Sequence, residues 1–403
     1  MSTYELLSPA GDMESLRASI RYGADAVYLG GPRLQLRADK AGFSMESLEE
    51  AVKFAHSRGK KIYVTVNSYA GSEEIDELPA YASALDDIGV DALIVSDLGA
   101  IATIRREVPS IPVHVSTQAS CMNYASAMVY RSMGAERIVL AREMSLKGIK
   151  ELRRRLPDDT ELEAFVHGAM CMAYSGRCII SSYMAGRSGN RGECTQPCRW
   201  RYHLYEESRP GEFYPLEESE TGTRILSSHD LKMLEHLEEM KDAGIVSFKI
   251  EGRMKTAYYA ATVTNAYRQA LDGSTDIKVL QRELEAVSHR PYSTGFYYGD
   301  ERESCYNSGV YVRGCTFVGV VLGSEGSLTK VQQRNHFRKG ETLELVSPGK
   351  APVSFKVETL ISSEGLPSET APHPMEEVTM NCPEGASPGD MIRRWEDEEE
   401  KES

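Results

Sequence analysis

Between residues 4 and 167 the chain alternates short, β-branched apolar runs with amphipathic runs of helical period, and few architectures accommodate that alternation. Residues 4–7, 25–29, 61–67, 92–95, 112–117, 137–140 and 162–167 read as strands. Residues 13–22, 44–57, 75–88, 98–107, 124–133 and 146–156 read as the helices between them. Local signals agree with the period. Asp12 and Ser44 stand where N-caps are expected, Phe43 and Leu48 are spaced as a staple across the second cap, and Glu46 sits in a first turn where the helix dipole favours an acid. Repeated strand-to-helix units require right-handed crossovers and a parallel sheet covered by helices, and seven or eight of them close most naturally into a TIM-like (β/α) barrel.

The pattern resumes further on, with strands predicted at 224–227 and 245–250 and helices at 229–243 and 257–271. That makes nine strands, one more than an eight-stave barrel can take. Residues 169–222 form a long Cys-rich insertion leaving the end of one strand, where barrels of this kind place their chemistry. From His289 the helical period disappears, and strands at 310–313, 317–321, 329–332, 342–345 and 353–357 alternate with Gly, Pro and Ser turns. The expected organisation is α/β: a barrel over 1–288, a small all-β barrel domain over 289–394 and an acidic tail over 395–403.

The insertion holds Cys171, Cys178, Cys194 and Cys198, half of the eight cysteines, separated by six, fifteen and three residues. Gly168, Gly176, Gly186, Gly189 and Gly192 make the surrounding stretch loop-rich and unlike plain core. Thiolates gathered among turns suit a soft metal or an iron–sulfur cluster. Structural zinc prefers two short Cys-x2–4-Cys knuckles, and only Cys194 and Cys198 form one. A cluster binds its ligands through separate irons, so it tolerates uneven loops better. Cys305, Cys315 and Cys382 lack short mutual spacing and read as packed or surface thiols, while Cys121 is an outsider for ligation.

No run of 18 apolar residues and no charged-then-apolar leader is present, so a membrane span and a secretory signal are not expected. The cytoplasm is the expected compartment, and reduced thiols go with it. The formal charge of −14 argues against a nucleic-acid partner. That sum is weighted by the tail from Glu396, which carries six acids and one lysine. Around the cysteines the sign reverses, with Arg177, Arg187, Arg191, Arg199 and Arg201 against Glu193 alone. An anionic substrate beside the thiols is compatible with this.

Several polar side chains fall near strand ends. A period of two puts Lys249, Glu251 and Arg253 on one face, and charges there must pair with each other or meet a ligand. One reading is a carboxylate-binding arginine held by a glutamate, and the other is a structural ion pair. His114, Ser116 and Gln118 repeat the alternation, and Arg37, Asn67 and His167 lie near other strand ends. A set converging on one barrel mouth carries more weight than any single member.

These residues also carry a resemblance. Glu163, Phe165, Gly168, Ala169, Met170, Cys171, Gly176, Cys178, Ile180 and Ser181 resemble the signature of the collagenase-like peptidase U-32 family. Glu5 to Gly11, Gly23 to Gly30, Phe248 to Lys255 and Tyr292 to Phe296 resemble its other hallmarks. The run Gly192 to Trp200, followed by Arg209 to Glu212, is similar to its bacterial tRNA uridine hydroxylase branch. The resemblance implies an enzyme with a 4Fe-4S cluster on Cys171, Cys178, Cys194 and Cys198. Such an enzyme uses prephenate to make 5-hydroxyuridine at the wobble position of tRNA, with oxygen not expected as the hydroxyl donor. Assembly with itself or with a related chain stays open.

No motif marks the prephenate site. Strand-end analysis nominates Arg253 and Arg37 for its carboxylates, with Asn67, Gln118 and Lys249 as further substrate contacts and Glu251 and His167 as catalytic candidates. Three rivals remain. A peptidase would use Cys171 with His167 as base, although neither a His-Glu-x-x-His nor a Gly-x-Ser-x-Gly motif is present. The others are a zinc-bound RNA-binding protein and an oxygen-independent hydroxylase of a small aromatic.

Overall fold

The computed structural model describes residues 4–36, 42–171, 178–200, 229–274, 276–299, 311–325 and 328–396. They fall into two compact units, one within Met1–Leu16, Ala24–Lys255 and His289–Tyr311 and one within Arg17–Gly23, Thr256–Ser288 and Val312–Ser403.

The first unit is a closed parallel barrel. Its strands are β1 (Glu5–Pro9), β2 (Ala26–Gly30), β3 (Lys61–Val66), β4 (Ala92–Val95), β5 (Val113–Val115), β6 (Arg137–Val139) and β7 (Glu161–Ala169), followed by β8 (Asp230–Lys232), β9 (Ser247–Ile250) and β10 (Tyr292–Ser293). Strands β1 to β7 pair in sequence order, and β9 pairs with both β7 and β1, which completes a ring of eight parallel staves. Strand β8 lies outside the ring, antiparallel to β7, with β10 parallel beside it.

The helices are α1 (Met13–Arg21), α2 (Met45–His56), α3 (Ser72–Asp87), α4 (Leu98–Glu107), α5 (Tyr124–Ser132), α6 (Leu146–Arg155), α7 (Ile180–Ala185), α8 (Leu237–Asp242), α9 (Ala257–Leu271) and α10 (Ile277–Glu285). The predicted caps are in place. Asp12 accepts from the Ser15 amide at 2.7 Å and Ser44 from the Ser47 amide at 3.2 Å, while Phe43 and Leu48 are both buried.

The predicted helix over 229–243 is corrected. Its first part is β8, followed by a 3-10 turn at Leu234–His236 and the short α8. Pairing with β7 and β10 overrides the helical pattern there. The predicted strand at 224–227 lies outside the described residues, and β9 is the eighth stave. Helix α10 is an element that periodicity reading omits.

Within the second unit, α9 and α10 accompany β11 (Cys315–Glu325), β12 (Leu328–Gln333), β13 (Phe337–Arg338), β14 (Thr342–Val346), β15 (Val353–Lys356), β16 (Leu360–Ile361), β17 (Thr370–Ala371), β18 (Glu377–Asn381) and β19 (Met391–Trp395). Seven of these strands form an antiparallel half-barrel, in the order β15-β14-β19-β11-β12-β18-β16, around a core that includes Val318, Val331, Phe337, Leu343 and Ile392. This half-barrel is the small all-β domain that the sequence predicts, and among the described residues its edge strands are β15 and β16. The first strand predicted for this domain, 310–313, begins outside the described residues and appears within them as a single bridge at Val312.

The interior of the parallel barrel is apolar in part, with Leu7, Ala26, Tyr28, Tyr63, Ala92 and Ile94 in one cluster. Next to it lies a buried charged layer. Arg137 on β6 pairs with Glu5 on β1 and, at 3.2 Å, with Glu163 on β7, and Glu163 also accepts from Lys249 Nζ at 2.7 Å. Tyr63 and Ser247 donate to Glu5 at 2.6 and 2.8 Å. Burial raises the Glu5 carboxyl, but the charge of Arg137 and the bonds from Arg137, Tyr63 and Ser247 outweigh it and hold the group below the usual range.

Because the folded carboxyl titrates below its unfolded value, its contribution is complete above that unfolded value and is lost as pH falls through the folded one. Glu5→Gln should therefore cost roughly 2–3 kcal/mol at pH 7. Urea unfolding at pH 7 and pH 3 should show the gap to wild type closing on acidification.

Candidate functional site

A cavity of about 200 Å3 opens at the C-terminal end of the barrel strands. Cys171 enters it from the end of β7. Cys178, Cys194 and Cys198 reach it from the excursion, which is shaped locally by α7 and by 3-10 turns at Gly189–Arg191 and Pro197–Arg199. None of the four is in a disulfide, and Cys171 is exposed while the others are half-buried. Asn190 donates to the Cys178 carbonyl at 3.0 Å, and the Gln196 amide points at Cys194 Sγ at 3.4 Å. Four cysteines around one cavity carry the soft sulfur donors that soft metals take. Among the described residues no three His, Cys, Asp or Glu side chains are grouped to hold a single metal ion.

The same cavity is lined by Arg142, Lys249, Arg253 and Arg290, with Glu251 the carboxylate among the described lining residues. Arg253 donates to Gln35 Oε1 at 2.8 Å, to Thr65 Oγ1 at 3.2 Å and to the Leu36 carbonyl. Lys249 is held by Glu163 and lies 4.3 Å from the centre of the Tyr28 ring. Burial lowers the Lys249 ammonium below its ordinary value, and Glu163 opposes this. Arg290 is fully buried, bonded to Asp230 at 2.7 Å, and also donates to the Met170 carbonyl at 3.2 Å. It thereby fixes the backbone next to Cys171.

Of the residues nominated from sequence, Asn67, Gln118, Lys249, Glu251, Arg253 and the four cysteines line this cavity. His167 does not line it. Its ring is buried, tilted against Tyr292 at 5.4 Å, and burial together with the charges of His289, Lys255 and Lys232 pushes its imidazolium form well down. Arg37 lies outside the described residues. His114 is buried against Tyr63 at 4.8 Å, away from the lining, while Ser116 joins it. Cys121 is buried and off the cavity.

Sequence reasoning missed Arg142. It pairs with Glu251 at 2.9 Å, donates to the Ala169 carbonyl at 2.8 Å and lies 3.9 Å above the Phe165 ring, while its Nε is buried without a hydrogen-bond partner. The glutamate expected to brace Arg253 thus braces Arg142. A signal was available: Gln118, Arg142 and Arg253 each stand three residues beyond the last residue of their strands, β5, β6 and β9. Arg142 has no partner at alternate positions, which is why a period-two search passes over it.

Comparison with known proteins places this arrangement. The family model described as peptidase family U32 matches residues 11–306, and that of the peptidase family U32 C-terminal domain matches residues 313–393. The chain belongs to the peptidase U32 family. "tRNA hydroxylation protein P1" of Bacillus subtilis (strain 168) is 38% identical over 401 residues, covering 97% of this chain and 94% of that protein. "tRNA hydroxylation protein P" of Escherichia coli (strain K12) is 37% identical over 417 residues, covering 91% of each. "23S rRNA 5-hydroxycytidine C2501 synthase" of Escherichia coli (strain K12) is 41% identical over 268 residues, which is 66% of this chain and 39% of that one. The U32 match spans both units. No helix among the described residues of this U32 chain is long and apolar enough to cross a membrane.

The thiols differ in a way alkylation can read. Burial pushes Cys121 and Cys382 up to about 11 and Cys315 up to about 12. In metal-free protein, iodoacetamide at neutral pH should modify Cys171, Cys178, Cys194 and Cys198 first and leave Cys121 and Cys315 until the chain unfolds. Peptide mass spectrometry over a time course checks the order.

Proposed function

We propose that this protein hydroxylates a pyrimidine of RNA, converting wobble uridine of tRNA to 5-hydroxyuridine in a reaction that depends on an iron–sulfur cluster and on prephenate. The observation that carries the reading is the meeting of four cysteines and four cationic side chains in one cavity at the C-terminal end of the barrel strands. The names of the U32 relatives supply the substrate class. In this reading Cys171, Cys178, Cys194 and Cys198 hold a 4Fe-4S cluster, which supplies one-electron redox chemistry beside the bound base.

The chain's own groups do the rest. Arg253, with Arg142 across the cavity lining, offers planar donor forks to the carboxylates of prephenate. Asn67 and Gln118 present amides suited to the edge of a pyrimidine. Lys249, paired with Glu163 at 2.7 Å, presents Nζ on the cavity wall. His167, buried and neutral behind the lining, supports β7 and takes no part in proton transfer.

Deleting the gene should remove 5-hydroxyuridine and its derivatives from the wobble position, and a copy carrying Cys194→Ala should fail to restore them. Mass spectrometry of digested tRNA reads both, and unchanged nucleosides in the deletion would refute the assignment. Anaerobically purified protein should be brown with broad visible absorbance. A colourless protein holding stoichiometric zinc, or proteolysis that survives Cys194→Ala, would favour the rivals.

Arg253→Ala should weaken prephenate binding by about tenfold or more, since a bidentate charge-assisted contact is lost. Calorimetric titration checks this, and an unchanged affinity removes Arg253 from that role.

A further inference from the structure

Most of the exposed large apolar side chains of the barrel unit stand on one rim. Tyr69 follows β3, Leu98 follows β4, Tyr124 follows the loop after β5, Tyr183 and Trp200 belong to the excursion after β7, and Met254 follows β9. These are the loops around the cavity mouth. A concentration of apolar surface on one rim marks an interaction site more often than scattered exposure does.

Three exposed rings belong to segments that line the cavity. Tyr69 lines the cavity and is 45% exposed. Tyr183 is 87% exposed on α7, whose first residue, Ile180, also lines the cavity. Trp200 is 40% exposed and follows the turn carrying Pro197 and Cys198, with its indole N–H on the Thr195 carbonyl at 3.3 Å. These segments are tied together. Helix α7 packs on that turn, the Tyr69 amide donates to the Asn190 carbonyl at 3.2 Å, and Arg191 donates to the Tyr69 carbonyl at 3.3 Å.

Charge decides the occupant. The chain as a whole carries −14, yet the segment 178–200 that bears Tyr183 and Trp200 holds Arg187, Arg191 and Arg199 and one acid, Glu193, with Arg191 also paired to Glu74 at 3.1 Å. Rings interleaved with arginines beside a cation-lined cavity match single-stranded nucleic acid, whose bases stack on rings while its phosphates seek the cations. A base can be reached by groups inside a cavity only once it has left its stack, and its neighbours then need a surface to rest on.

We propose that Tyr69, Tyr183 and Trp200 form a stacking platform for the single-stranded nucleotides that flank the reacting base. This rests on the reading of the chain as an RNA hydroxylase and names the surface that would hold the RNA. The platform accepts any base, because each has a π-face, so the choice of nucleotide belongs to the cavity below.

The test is fluorescence anisotropy of the full-length, cluster-loaded protein with an unmodified anticodon stem-loop. Tyr183→Ala and Trp200→Ala should each weaken binding at least about fivefold. Tyr183→Phe, which keeps the ring, should bind as wild type does. Tyr183 is 87% exposed and is not one of the proposed cluster ligands, so the visible absorbance of its variants should stay unchanged. Wild-type affinity in the Tyr183→Ala/Trp200→Ala double variant overturns the platform while leaving the RNA reading intact. If that variant instead changes sedimentation without changing RNA affinity, the rim is a protein interface and the proposal is also overturned. A wild-type protein with no affinity for the stem-loop sinks the RNA reading and the platform together.

Discussion

Glu163 is fully buried inside the barrel and cannot be left without a cation, and much of the site follows from that constraint. It is shared between Arg137 from β6 and Lys249 from β9. Through Arg137 it connects to Glu5, and through Glu5 to Tyr63 and Ser247. Charges in such a place cost several kcal/mol each unless their partners are fixed. The layer therefore ties five staves to one register. It also leaves Lys249 at the boundary between the ionic layer and the cavity, where its Nζ pairs with a carboxylate that itself never meets solvent.

Above that boundary, the cavity wall is assembled from groups braced against the backbone. Arg142 is anchored on the Ala169 carbonyl and Glu251, Arg253 on the Leu36 carbonyl, and Arg290 on Asp230 and the Met170 carbonyl. Each guanidinium spends part of its donor set on fixed protein acceptors, so its position is set before any ligand arrives. That preorganisation reduces the entropy a ligand must give up on binding.

Much of this was legible in the sequence, for physical reasons that differ by element. The staves were readable because each is an apolar run bounded by turn residues and followed by a capped amphipathic helix, as at Asp97 and Ser145, whose side chains accept from the Ala100 and Gly148 amides. Strand β8 was not readable. Its three residues, Asp230, Leu231 and Lys232, have no strand pattern of their own and are held by partners in β7 and β10. The cysteines were visible as a cluster, whereas Arg142 was hidden because its importance comes from a glutamate more than a hundred residues away. His167 sat at a strand end like the cavity residues, and only packing against Tyr292 shows that it faces elsewhere.

The antiparallel pairing of β7 with β8 has a consequence for how such a protein changes. Ala169, where the excursion departs, lies opposite Asp230, where it returns. The seam between β7 and β8 therefore brings the two ends of the excursion together, while Asn190 and Arg191 bond Tyr69 in the loop after β3. The entropy of closing a loop grows only slowly with its length. Residues can be added to or removed from the excursion with little penalty to the staves, so its reach and contacts can be refashioned while the ionic layer beneath stays as it is.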